Sequence, residues 1–377
     1  MQQKRIVAVH LLNDFSGSPL ILKQSLAILA SHYEAHIFTS TPSGSGFLSG
    51  NPALHYHPIF YRWSTNKFLT LLYFSFAQLI LFCRLLIFLK REDILYINTL
   101  LPAGAAIAGK LKGCQVTWHI HEVSLKPILL RKLLTNIALK TGDRFICVSS
   151  FVAKHFNFPP GKTAIIYNAL GTDFTANADC LLPFIDRDKI PFTVLMACSL
   201  KKYKGVFEFV EIARLLPEIE FILVLNAEPE KVLSFKKQVR VPSNCNVLSV
   251  QKEMVPFYSQ AHLILNLSLP PLWIETFGMT ILEGMYMGLP AIVPPIGGIC
   301  ELVTEGVEGY RIDAGNINNI KNAIHHLHTH RDVYQKLSDA AIAKAAEFSQ
   351  EMFKHKIKNL FLANPVKQEL HHGIFFH

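Results

Sequence analysis

Short, continuous apolar runs alternate along the chain with longer stretches in which apolar residues recur every three or four positions. RIVAVH (5–10), AHIFTS (35–40), LHYHPIF (54–60), DILYINT (93–99), QVTWHIH (115–121), DRFICVS (143–149) and TAIIYN (163–168) predict a first series of strands. FTVLMAC (192–198), EFILVLN (220–226), NVLSV (246–250), LILNLS (263–268), PAIVP (290–294) and GYRID (309–313) predict a second. Strands with apolar residues at successive positions are buried on both faces, as in parallel sheets covered by helices. Helical patterns at 19–32, 102–112 and 126–140 separate strands of the first series, and similar patterns separate those of the second. The rhythm predicts two parallel, doubly wound α/β units, as the length of 377 residues also suggests. LGTDFTANADCLLPFIDRDKIP (170–191) has neither period and reads as the connection between them. The expected division is a first domain over 1–173 and a second over 174–347, followed by a terminal segment over 348–377.

One helical pattern stands apart. Residues 67–91, KFLTLLYFSFAQLILFCRLLIFLKR, hold 22 consecutive positions (68–89) that as a helix would extend about 33 Å, against a hydrocarbon core of roughly 30 Å. Gln78 and Arg84 interrupt the run, and an arginine near mid-membrane costs about 2.5–3.5 kcal/mol on insertion scales. A span would also separate RIVAVH from DILYINT, which belong to one sheet. The pattern suits a helix packed on that sheet with an apolar outer face, a shape that can also dip into a membrane interface.

Composition and charge sharpen this picture. Half of the residues are hydrophobic and 17% are charged, which supplies two cores and excludes disorder as the state of the whole chain. Residues 1–173 carry 17 Lys and Arg against 7 Asp and Glu, whereas residues 174–377 carry 20 against 21. The first half therefore faces something anionic. No basic tract interleaved with aromatics points to nucleic acid, so a membrane surface is the expected partner. Seven scattered cysteines form no CxxC or Cys/His cluster, which predicts neither disulfides nor zinc and fits a reducing cytosol. The N-terminal run MQQKRIVAVHLLNDF is too short and too polar for a signal peptide and reads as a first buried strand.

The candidate chemistry lies in WIETFGMTILEGMYMGLP (273–290). Glu275 and Glu283 stand eight residues apart with Phe277-Gly278 between them. A glycosidase pair would hold its carboxyls about 5–9.5 Å apart, whereas eight residues along a helix rise about 12 Å. Such acids address distant parts of one elongated ligand. Free N–H groups at a helix start over 276–279 would suit an anion between them. A nucleotide-sugar has this shape, with sugar hydroxyls, a diphosphate and ribose hydroxyls in line.

ETFGMTILEGMYMGLPAIVPPIGGICELVTEGVEGYRI closely resembles the C-terminal signature of family 4 glycosyltransferases, enzymes of the GT-B fold. The likeness includes the E-x7-E pair, Gly288-Leu289-Pro290, Gly297-Gly298, Glu301 and Gly309. SLKKYKGV (199–206) is similar to the donor diphosphate loop, FICVSSFVAKHF (145–156) and IIYNALGTDF (165–174) to segments ending the first domain, HIHE (119–122) to the family's His-bearing strand end, and SGSPLILKQSLAIL (16–29) to its first glycine loop and helix. The resemblance implies two Rossmann-like domains facing across a cleft, with a C-terminal helix at about 348–365 crossing back to the first domain.

It implies roles as well. Glu283 would bond the ribose hydroxyls, while Glu275 and the Phe277-Gly278-Met279 backbone, with Thr280 beside it, would hold the donor sugar. Lys204 would neutralise the departing diphosphate, and His121 would reach the sugar across the cleft. The Gly17 amide would meet the phosphates, with Ser199, Lys201 and Ser149 completing the donor site. Catalysis would then fall to Glu275, His121 and Lys204. Cation, amide dipoles and polar clamp suit a leaving diphosphate and an oxocarbenium-like sugar. The implied reaction is retaining transfer to a glycan acceptor, lipid-linked if the apolar helix meets a membrane, by a cytoplasmic enzyme resting on the inner membrane face. No metal or other cofactor is expected.

Two positions depart from the family pattern. Ser199 stands where many members carry arginine, and Ser16-Gly17-Ser18 replaces a common Gly-Gly pair. Asp186-Arg187-Asp188 imitates a metal-binding D-x-D but falls in the predicted linker. His119 reads as a core or supporting residue, and Asn266-Leu267-Ser268 is a formal glycosylation sequon in a predicted buried strand. The alternatives to a transferase are a nucleotide-sugar epimerase of the same fold and a catalytically silent nucleotide-sugar-binding subunit.

Overall fold

The computed structural model describes residues 3–182 and 185–362. Among the described residues, thirteen strands form two sheets. The first contains β1 (Arg5–Leu12), β2 (Glu34–Ser40), β3 (Leu54–Pro58), β4 (Ile94–Asn98), β5 (Gln115–Ile120), β6 (Arg144–Cys147) and β7 (Thr163–Ile165), in the order β3-β2-β1-β4-β5-β6-β7. The second contains β8 (Thr193–Ser199), β9 (Glu220–Asn226), β10 (Cys245–Leu248), β11 (Leu263–Leu265), β12 (Ala291–Val293) and β13 (Gly309–Arg311), in the order β10-β9-β8-β11-β12-β13. Every pairing is parallel. Each sheet reverses its winding beside its first strand, between β1 and β4 and between β8 and β11. In open α/β sheets that reversal opens a crevice at the carboxyl ends of the strands.

Burial explains the apolar runs. Residues 6–9 of β1 and 94–98 of β4 are enclosed on both faces by helices. The helix Gln350–Leu362 returns to the first sheet, where Phe353, Ile357 and Phe361 share a core with Ile6, Ile21 and Tyr96. Tyr33 Oη donates to the Phe361 carbonyl at 2.7 Å and anchors its end. Residues beyond 362 lie outside the described part.

The connection over 170–191 is not wholly irregular. Thr172–Leu181 forms a helix in which only Ala178 is buried, so no apolar stripe announces it. Asp186 and Asp188 of the D-x-D lookalike are engaged by Lys189 and Arg331 respectively.

Helix Lys67–Phe88 packs against the first sheet and helix Ala103–Lys112. Its buried residues are Phe74, Ala77, Leu81 and Leu85. Two polar side chains bond neighbouring backbone, Gln78 from a half-buried position and Arg84 from an exposed one. Gln78 Oε1 accepts from the Gly104 amide at 2.9 Å, and Arg84 donates to the Pro58 carbonyl at 2.5 Å while its guanidinium lies over Phe38. Gly104 permits this closeness, because a Cβ there would sit 2.2 Å from the Gln78 carbonyl oxygen.

Candidate active site

The loops after β8 and β11 are pressed together by Gly205, whose φ of +75° suits glycine and whose absent Cβ would meet the Leu267 carbonyl at 2.2 Å. This brings Lys204, at the end of a short 3₁₀ turn after β8, into an ion pair with Glu275. Ser268 Oγ donates to Glu275 Oε1 at 2.6 Å, and Asn266 orders the turn by accepting from the Ser268 amide at 3.0 Å. Burial alone would raise the Glu275 carboxyl, but the charge and hydrogen bond of Lys204 and the bonds from Ser268 and Asn266 outweigh it, so its pKa falls below the ordinary value. Tyr203 and Trp273 stack at 5.1 Å beside the pair, and the Lys204 ammonium lies 5.1 Å from the Trp273 ring.

Gly278, at φ +105°, turns the chain into helix Met279–Tyr286. The Met279 and Thr280 amides of its first turn find no acceptor among the described residues. Glu283 lies in mid-helix, where Tyr258 Oη donates to its Oε2 at 2.5 Å. Burial pushes the Glu283 carboxyl up to about 7, against the opposing effect of the tyrosine bond. The Phe277 side chain turns away from the cleft and packs between Tyr167 and Phe348 at the domain junction, so only its backbone remains available to a ligand.

From the first domain, the residues after β5 close on this loop. Thr276 Oγ1 donates to the His121 carbonyl at 2.6 Å, and the Ile274 amide donates to Ser124 Oγ at 2.9 Å. Glu275 is thus flanked on both sides by bonds to the opposite domain. The His121 imidazole is bonded to Asn98 at the end of β4, and burial beside His119 and His10 holds its pKa well below the ordinary histidine range. Glu122 accepts from the Leu100 amide at 2.8 Å, and burial raises it to about 7. His119 is enclosed and bonded to Tyr96 at 2.7 Å.

Gly17 opens helix Gly17–Leu29 with nothing within 4 Å of where a Cβ would stand. The Ser16 hydroxyl is held by Asp14 instead of capping the helix, and the Gly17 amide finds no acceptor among the described residues. Ser199 closes β8, and the Lys201 ammonium extends 5.5 Å from the Trp63 ring of the first domain. Ser149 is fully buried; its hydroxyl caps helix Ser150–Phe156 through the Val152 amide at 3.3 Å.

Several supporting residues escape motif reasoning. Asn98, Asn266 and Ser268 sit at or just beyond the carboxyl ends of predicted strands, the one sequence signal they carry. Glu301 was visible only as part of the signature. Its carboxylate accepts from the Ser150 amide at 3.0 Å, the Phe151 amide at 2.7 Å and Tyr167 Oη at 2.8 Å, all in the other domain.

Two facing parallel α/β domains with an acid-lysine pair, a helix start and a second acid along one edge define a GT-B glycosyltransferase. Residues 23–174 match the family described as Glycosyltransferase Family 4, residues 184–344 match Glycosyl transferases group 1, and the chain is a glycosyltransferase of the GT-B, family 4 type. The N-acetyl-alpha-D-glucosaminyl L-malate synthase of Bacillus anthracis is 25% identical over 147 residues, a match spanning 38% of each chain. The structure of Anabaena HepE in complex with UDP and glucose superposes with a TM-score of 0.75 at 17% identity, over 96% of this chain and 100% of that one. WaaG, a glycosyltransferase involved in lipopolysaccharide biosynthesis, superposes with a TM-score of 0.69 at 14% identity, over 95% of this chain and 100% of its own.

Proposed function

We propose that this protein takes a sugar from a nucleoside-diphosphate-sugar and transfers it, with retention of configuration, to a lipid-linked glycan at the inner face of a bacterial cytoplasmic membrane. The Lys204–Glu275 pair, held at the carboxyl ends of β8 and β11 and tied through Thr276 to the His121 loop, carries the reading. Glu283 accepts the ribose hydroxyls. Lys204 and the Met279 and Thr280 amides receive the diphosphate, whose charge grows as it leaves. Glu275 and His121 meet the transferred sugar. These groups supply positive charge aimed at the leaving group, and the proposal includes no metal or other cofactor. The candidate acceptor site is an open pocket of about 450 Å³ on the first domain, largely apolar in its lining but edged by the side chains of Thr41, Ser49, Asn51 and Tyr56, which an epimerase would not need.

The membrane part rests on the outer face of helix Lys67–Phe88. Phe68, Leu72, Phe76, Leu79 and Ile87 are exposed and fall within an arc of about 100° at 100° per residue. Only 22% of its most apolar window is buried. Leu111, Ile128, Leu129 and Leu133 on the next two helices are exposed as well, and Lys126 and Lys132 stand among them. A soluble surface seldom keeps so large an apolar area, whereas apolar and basic groups together suit an anionic lipid surface.

A thermal-shift panel of UDP-, GDP-, ADP- and dTDP-sugars tests the donor. A ligand at a hundred times its Kd adds about 2.7 kcal/mol, so one nucleotide should raise the melting temperature. If none does, the donor assignment fails.

A further inference from the structure

Asn98 closes β4, and its side chain is fully enclosed between the two first-domain groups assigned to the donor. Its Nδ2 lies 3.1 Å from the Ser18 carbonyl oxygen, in the first turn of the helix that Gly17 opens. A main-chain carbonyl only accepts, so this contact fixes which end of the carboxamide is nitrogen. The opposite end, Oδ1, then faces His121 Nε2 at 2.9 Å. An amide oxygen also only accepts, which places the imidazole proton on Nε2. The second hydrogen of Asn98 Nδ2 points to His10 Nδ1 at 3.1 Å, so His10 accepts there.

His121 Nδ1 keeps its lone pair, because burial disfavours the imidazolium and no group among the described residues donates to Nδ1. His119, its ring centre 4.2 Å away and tilted by 38°, is itself neutral, with its Nδ1 occupied by Tyr96.

We infer that Asn98 is a positioning residue that locks His121 in the Nε2–H tautomer and so presents Nδ1 as a hydrogen-bond acceptor to a hydroxyl of the transferred sugar. The ligand in this statement rests on the proposed donor site; the tautomer does not. His121 then acts as a neutral acceptor that orients the sugar, and it does not donate a proton to the leaving diphosphate. The same carboxamide holds the first turn of helix Gly17–Leu29, so one side chain sets both the imidazole and the Gly17 amide. A carboxylate at position 98 would keep the bond to Nε2–H and lose the one to Ser18, while its charge would favour the imidazolium.

Long-range ¹H–¹⁵N spectra of histidine-labelled, ligand-free protein near neutral pH read the tautomer directly, with His121 assigned by loss of its signals in His121→Gln. The wild type should show a protonated Nε2 and an unprotonated Nδ1. Asn98→Ala should turn this pattern into a mixture of tautomers, and Asn98→Asp, closer in shape should the alanine variant fail to fold, should raise the pH at which His121 titrates. An Nδ1–H tautomer or an imidazolium in the wild type overturns the inference, as does an unchanged pattern in both folded variants. An intact Nε2–H pattern without any nucleotide-induced thermal shift would sink the donor reading and leave the role of Asn98 standing.

Discussion

The ammonium of Lys204 is paired with the carboxylate of Glu275, and Ser268 donates to the same carboxylate oxygen, Oε1. The cation proposed to meet a diphosphate is thus paired with an acid, and under the proposed function a donor must share or displace Glu275. The two residues should fail differently. Glu275→Ala is expected to lower turnover by roughly a hundredfold or more, the scale of losing one preorganised transition-state contact, with nucleoside diphosphate affinity little weakened. Lys204→Ala should lower that affinity by about tenfold or more. Steady-state turnover and calorimetric titration separate the effects; equal, small losses in both variants would contradict the arrangement.

Glu283 binds a proton up to about pH 7 because burial disfavours its charge. Ribose hydroxyls donate best to the ionised form, so nucleotide affinity should rise as pH increases toward 7 and level off above it. The sign for folding is opposite. A carboxyl whose folded pKa lies above its unfolded value contributes most at low pH, and stability falls as pH rises between the two. Because the Tyr258 hydroxyl bond favours the ionised carboxyl, Tyr258→Phe should move the affinity midpoint to higher pH. Titrations across pH 5.5–8.5 check both directions, and a flat profile would show that Glu283 does not meet the ribose.

Glu301 bonds two amides of helix Ser150–Phe156 and the Tyr167 hydroxyl across the domain junction. Hydrogen bonds to a charged group contribute about 1.5–3 kcal/mol, enough to bias the cleft toward closure. Glu301→Ala should leave nucleotide affinity largely intact, since Glu283, Lys204 and the Met279 and Thr280 amides all belong to the second domain, while turnover falls and small-angle scattering reports a larger radius of gyration. Loss of nucleotide binding in step with turnover would mean that Glu301 serves the pocket instead.

The exposed apolar helix makes a prediction that needs no substrate. Leu79→Glu and Leu129→Glu place charge on positions 59% and 81% exposed, so folding should be unaffected. Each should reduce flotation with vesicles containing phosphatidylglycerol by severalfold, and Lys126→Glu/Lys132→Glu should do so for anionic vesicles alone. Wild-type protein that stays off such vesicles would contradict membrane docking.

The strands were readable because parallel sheets enclosed on both faces demand uninterrupted apolar residues, as in ILYIN and TVLMACS. Glu275, Glu283 and Lys204 were readable because their spacing carries chemistry. Helix Thr172–Leu181 was not, since its single buried residue leaves no period to detect. The side chain of Phe277 sits in a motif but serves the junction with Tyr167 and Phe348, and a motif does not reveal which atoms of a residue face the ligand. Asn98, Tyr258 and the partners of Glu301 depend on contacts between residues up to 151 positions apart, a distance over which local pattern is silent. Gln78 and Arg84 interrupt the apolar run and argue against a membrane span. They bond the Gly104 amide and the Pro58 carbonyl, Gln78 half-buried and Arg84 exposed, contacts that the spacing of the helix does not reveal.

A crystal structure with the nucleoside diphosphate that most stabilises the protein tests the central claim most directly. The account predicts ribose hydroxyls on Glu283, the diphosphate against Lys204 and the amides of Met279 and Thr280, and Glu275 turned toward the site of the sugar. A nucleotide bound elsewhere, with the Lys204–Glu275 pair and the Tyr258–Glu283 bond both undisturbed, would contradict it.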